Sequence, residues 1–139
     1  MASYVKYEVF SENLAEKVHD LNADTLKIAL SNTAPVVATN AVLADVTEIS
    51  AGNGYTAGGA DTTNSTSRTG ATTSVVGVDV TFTASGGTIG PFRYAILYND
   101  TPISPADPLI AYWDYGSSIT LNDGESFTVD FGTEMFTVA

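Results

Sequence analysis

PFRYAILYND, residues 91–100, is apolar on both faces when laid out as a strand. Alternation puts Phe92, Tyr94, Ile96 and Tyr98 on one side, and Ala95 and Leu97 on the other. A strand with one wet face alternates apolar with polar residues. A strand with no polar face must be covered twice. The segment therefore predicts the central strand of a layered β protein. Pro91 is expected to begin this strand and not to lie within it, because proline cannot donate to a ladder.

The flanking segments alternate in the same way. TLKIALS (25–31) puts Leu26, Ile28 and Leu30 on one face, and Lys27 and Ser31 on the other. VVGVDVTF (75–82) points Val76, Val78, Val80 and Phe82 inward, and Asp79 and Thr81 outward. LIAYWDYG (109–116) leads into SSITLNDGESFTVDF (117–131), where Asp123-Gly124 signals a two-residue hairpin. There Phe127, Val129 and Phe131 share a face, and MFTVA supplies a last strand. One helix is expected over SENLAEKVHDL (11–21). Ser11 would cap it, Leu14 and Val18 would share its apolar face, and Asn22 would stop it. The fold class is mainly β: a β-sandwich or jelly-roll-like open barrel with a short N-terminal helix. A single domain spans 1–139, with an N-terminal strand/helix region at 1–24.

Residues 50–74 break the pattern, being almost all Gly, Ala, Ser, Thr and Asn. The stretch predicts a flexible arm or loop. Gly52, Gly54 and Gly58 fall one position out of the dinucleotide-binding spacing. No buried strand precedes them, and no good helix former or lysine follows, so the glycines are read as turn-formers.

Charge narrows the function. The chain carries 5 Lys+Arg against 16 Asp+Glu, a formal net charge of −11. From Tyr94 onward there are seven acids and no base. A nucleic-acid binder or a protein of anionic membranes needs a basic face, so neither partner is expected. No stretch approaches the ~18 apolar residues of a membrane span, and the N-terminal residues do not read as a signal peptide. With no cysteine there are no disulfides or thiolate metal sites.

Catalytic patterns are weak. The only histidine, His19, lies on the expected helix and reads as structural. Asp114, Asp123 and Glu125 are candidate carboxylates, but spacing does not choose among them. Asp100, Asp107 and Asp114 could form an irregular calcium site, although no EF-hand spacing is present. Asn64 and Asn99 fit the glycosylation pattern and are discounted, since no secretory signal accompanies them. The expectation is a non-enzyme with no catalytic residues, cofactor or metal. Tyr112, Trp113 and Tyr115 in AYWDYG stand out instead, because clustered aromatics anchor interfaces or stack on sugars.

Four stretches together resemble a family of small tailed-bacteriophage virion proteins: TLKIALSNTAP, LADVTEISAGNGYTAGG, FRYAILYND and LIAYWDYGSSITLNDGESFTVDF. The resemblance runs from about Thr25 to Phe131. It implies a capsid decoration, or cement, protein: a homotrimer on the capsid exterior that bridges major capsid protein subunits, made in the host cytoplasm. On that reading Tyr55, Arg68, Tyr112, Trp113 and Tyr115 are the interface candidates. The rival reading is a tail- or head-fibre module that binds glycan through Trp113.

Overall fold

The computed structural model describes residues 2–139. It is mainly β, with ten strands and one α-helix: β1 (Ser3–Lys6), α1 (Val9–Ala15), β2 (Leu26–Ser31), β3 (Ala60–Asp61), β4 (Ser65–Thr69), β5 (Thr72–Val76), β6 (Val80–Thr83), β7 (Ile89–Asn99), β8 (Leu109–Leu121), β9 (Ser126–Val129) and β10 (Phe136–Val138). The main sheet has five strands in the order β1-β8-β7-β2-β3. Its pairings are all antiparallel. A second layer consists of a three-stranded sheet, β10-β5-β4, and the pair β6-β9. The arrangement is sandwich-like and not a closed barrel.

The doubly apolar segment is the centre of the molecule. β7 lies between β8 and β2, and both its faces are covered. Phe92, Ala95 and Leu97 join Leu26, Ile28, Leu30, Val75, Val80, Phe82, Val129 and Phe136 in the core between the two layers. Tyr94, Ile96 and Tyr98 face the other way, into a smaller cluster with Tyr7, Ala29 and Leu109. Val37, Leu43 and Val46 close over that cluster. They come from the excursion between β2 and β3, which includes a 3₁₀ turn at Leu43–Asp45. Each fully buried Leu or Ile contributes about 1.5–3 kcal/mol by leaving water, so residues 91–100 are central energetically as well as geometrically.

Several expectations need correction. Pro91 lies inside β7, not at its start. It is tolerated because the register to β8 shifts between Ile89 and Phe92, so no ladder bond is asked of it. A further shift between Phe92 and Tyr94 moves Phe92 onto the Ala95–Leu97 face. VVGVDVTF is not one strand. It breaks at Gly77, so Val75 is buried while Val78 is 62% exposed. The Asp123-Gly124 turn forms, with Glu125 N–H donating to Asn122 O, but joins no hairpin. Of the two turn residues only Gly124 has positive φ, which is a type II geometry that splays its flanking strands. β8 therefore stays in the main sheet, while β9 pairs with β6. Helix α1 is shorter and earlier than expected. Glu8 stands at its N-cap position, and the Ser11 hydroxyl donates back to Glu8 O.

The largest correction concerns 50–74. The segment is not a free arm. It crosses over the β2 edge as a strap, then forms β3 and the β4–β5 hairpin. Two glycines make the strap possible. A Cβ on Gly59 would lie 1.7 Å from Ile28 O, and one on Gly54 would lie 2.2 Å from Thr83 O. Tyr55 plugs the strap into the core. At 2% exposure it is unavailable to a neighbouring subunit, against the sequence expectation. Its hydroxyl donates to Glu48 Oε2 at 2.5 Å and accepts from Leu30 N–H at 3.0 Å.

Candidate functional site

Strand β8 is long enough to run from the core out to solvent. Its first residues, Leu109–Ala111, are buried, and Tyr112–Tyr115 are half-buried. Alternation then separates the aromatics. Tyr112 packs edge-on to Tyr7 and Tyr94 on the second face, with centroid distances of 5.6 and 5.8 Å. Trp113 and Tyr115 share the opposite face. Between Asp114 and Ile119 the β8 register to β7 slips, and Gly116 turns at φ +87°. Asp114 holds this bulge from both sides. It takes Arg93 in a bidentate pair at 2.8 and 3.1 Å, and it accepts Gly116 N–H at 2.8 Å. The guanidinium beside Asp114 holds its carboxyl below the usual range.

The outer end of the face carrying Trp113 and Tyr115 is rich in rings. Trp113 lies 5.5 Å from Phe131 and 5.6 Å from Tyr4. Tyr115 meets Phe127 edge-on at 4.9 Å, and Phe127 meets Phe92 at 5.0 Å. Tyr4 extends the row to Phe136. Offset and edge-on contacts of this kind add about 0.5–1.5 kcal/mol each beyond area burial. They hold the outer rings in fixed positions. Between β8 and the end of β9 the row opens into a groove of about 450 Å³, lined by Trp113, Tyr115, Phe131, Thr128 and Asp130. Burial, and then the charge of Asp130, push the Tyr115 hydroxyl up to about 12. Burial does the same for Tyr4.

The structure thus brings Trp113 and Tyr115 together and separates the other candidates. Tyr55 is in the core. Arg68 is exposed on β4, where its Nη1 donates to Gly70 O at the hairpin tip. Tyr112 faces away. Sequence patterning does not single out Tyr4 or Phe131 as site residues. Phe131 was legible as an inward residue, but only β1 pairing with β8, Tyr4 opposite Trp113, brings Tyr4 into the row.

The acid–base candidates do not converge on one site: Asp123 and Glu125 share a turn, Asp107 lies beside Asp100, and Asp114 and His19 stand apart with Arg93 and Asn99. His19 is 7% exposed, and its Nδ1 lies 3.0 Å from Asn99 Nδ2. Asn99 Oδ1 accepts Thr101 N–H, so its amide nitrogen faces both His19 and Asp24. Nδ1 is therefore the acceptor and Nε2 carries the hydrogen. Nε2 is buried without a partner. Burial lowers the His19 pKa to about 4, against a smaller opposing effect of Asp24. His19 also lines the larger groove, about 560 Å³, with Lys17, Asp20 and Thr66. Asp123 Oδ1 accepts Gly86 N–H and Glu125 Oε1 accepts Asn122 N–H. Lys27 pairs with Asp100 at 3.2 Å, while Asp114 is held by Arg93. Among the described residues, no three His, Asp or Glu side chains gather as metal ligands. Asn64 and Asn99 are structural amides: Asn64 bridges Leu26 N–H to Leu21 O and Asp24 O, and Asn99 is fully buried.

Compared with known proteins, the chain matches no family model, no curated sequence and no solved structure. No helix among the described residues is long and apolar enough to cross a membrane.

Proposed function

We propose that this chain is a structural protein of a tailed-bacteriophage virion. It decorates the outer capsid surface as a homotrimer and reinforces the head by bridging major capsid protein subunits. The resemblance of Thr25–Phe131 to phage virion proteins supports the lineage. The observation that carries the binding role is the pair Trp113 and Tyr115 on one face of β8, each packed against neighbouring rings and both open at one groove. Rigid aromatics bind a partner at low entropic cost, because little rotamer freedom remains to be lost. Light scattering on the purified protein tests the assembly, and co-sedimentation with heads lacking it tests the binding. A strict monomer that stays in the supernatant overturns the proposal. The rival is a fibre module that stacks a sugar ring on Trp113. Saturable binding of host polysaccharide, lost in Trp113→Ala, would favour it.

A further inference from the structure

The chemistry of the groove at Trp113 goes further than a general docking surface. Its lining includes the rings of Trp113, Tyr115 and Phe131 together with Ala2, Thr128 and Gly132. Ring faces carry negative quadrupole charge and attract cations. Asp130 lies on the same rim, and its Oδ1 accepts Gly132 N–H at 2.8 Å. Its influence on the Tyr115 hydroxyl places that negative charge close to the rings. No Lys or Arg lines the groove. The two cations with carboxylate partners, Lys27 and Arg93, are held by Asp100 and Asp114. Aromatic walls, a carboxylate rim and a chain of net charge −11 are complementary to positive charge.

We infer that this groove is the seat of a basic side chain, Arg or Lys, presented by the protein partner, with Trp113 and Tyr115 stacking on it and Asp130 pairing with it. The inference rests on the virion reading for the partner's identity, but not for the chemistry of the groove. Arginine fits best, since its planar guanidinium stacks on rings and offers a fork to the carboxylate.

The experiment uses the only tryptophan of the chain as reporter. The intact protein is titrated with a short Arg-containing peptide, with the same peptide carrying Gln for Arg, and with a neutral oligosaccharide, while Trp113 emission is followed. The Arg peptide should give a saturable change and the Gln peptide should not. Asp130→Asn keeps the Oδ1 acceptor for Gly132 N–H but removes the charge. It should weaken the Arg peptide roughly fivefold or more. Asp61→Asn is the control. It removes one charge away from the groove and keeps an Oδ1 acceptor for Thr63 N–H, so it should leave the affinity unchanged. Equal loss in both variants would mean diffuse attraction to an acidic protein, and the inference would fail. It would fail equally if emission ignored the Arg peptide, or if only the oligosaccharide moved it. Co-sedimentation with heads separates the two proposals. Wild-type binding to heads that is undiminished in Asp130→Asn rejects the groove as the contact and leaves the virion role standing. A saturable peptide response without head binding rejects the virion role and leaves the groove chemistry standing.

Discussion

At the scale of single residues, Tyr55 shows how a fold can reassign a side chain. In a run of glycines and small polar residues it reads as an exposed anchor. In the structure it is the plug that fixes the strap. Sequence could not reveal this, because its partners, Glu48 and Leu30 N–H, meet it only after β2 and the strap are in place. Tyr55→Phe keeps the ring and removes the hydroxyl, leaving Leu30 N–H buried and unpaired. We expect a loss of about 1–3 kcal/mol in chemical denaturation. Gly59 and Gly70 separate two effects of glycine. Both have positive φ, +78° and +61°, but only Gly59 has backbone in the way of a Cβ. Gly70→Ala should cost about 1 kcal/mol for the left-handed conformation alone, while Gly59→Ala should cost well above that or fail to fold. His19 gives a pH signature. Its folded pKa, about 4, lies below the ordinary 6.5. Above pH 6.5 it is neutral in both states and its contribution is complete. As pH falls from 6.5 toward 4, the unfolded chain takes up a proton that the folded chain refuses, and stability drops. Denaturation midpoints between pH 7.5 and 5 should fall more steeply in wild type than in His19→Gln.

At the scale of elements, strands were legible and their pairings were not. Residues 26–31 and 91–100 could be read because burial on a given face writes period two directly into sequence. The β7–β8 ladder slips three times, and although Pro91 and Gly116 mark two of the slips, neither residue says which way the faces exchange. Phe92 changed sides for this reason. The Asp123-Gly124 pair named a turn correctly and a hairpin wrongly, since turn type, not turn presence, decides whether the strands stay together. Helix α1 was legible only as a tendency. With seven residues it is too short to be stable alone, and it is held by Phe10, which stacks edge-on against Phe136 at 5.5 Å. Phe10→Ala should cost about 3–5 kcal/mol. It should also bring early hydrogen exchange to α1, while β2 and β7 remain protected. Of the candidate site, the pair Trp113 and Tyr115 could be read from AYWDYG, because alternation alone puts them on one face. Tyr4 could not, since nothing local says that the first strand will lie against the eighth.

At the scale of the whole molecule, the acidity acquires a structural account. Asp20, Asp45, Asp61, Asp79, Asp123 and Asp130 each accept backbone N–H groups in turns and connections. Much of the negative charge is thus built into the loops that carry the chain between layers. Asp45 and Asp114 are held below their ordinary 3.8, so their contributions are complete above that value and vanish as pH falls through the folded-state pKa. Stability should therefore be lost in two pH windows: the His19 window between 6.5 and about 4, and a carboxylate window below it. Denaturant midpoints measured along a pH series should fall with two slopes, and only the upper one should flatten in His19→Gln. The strand order carries a consequence for synthesis. β1 pairs with β8, Ser3 facing Asp114, and β2 pairs with β7, Leu26 facing Asn99. β2 meets only the two-residue β3 and a bridge to Glu48 before β7 is made, and β1 has no sheet partner until β8 follows it. The main sheet therefore gains β1 and β2 only through contacts distant in sequence, while the β4–β5 hairpin can form on its own, an order that slows the final closure.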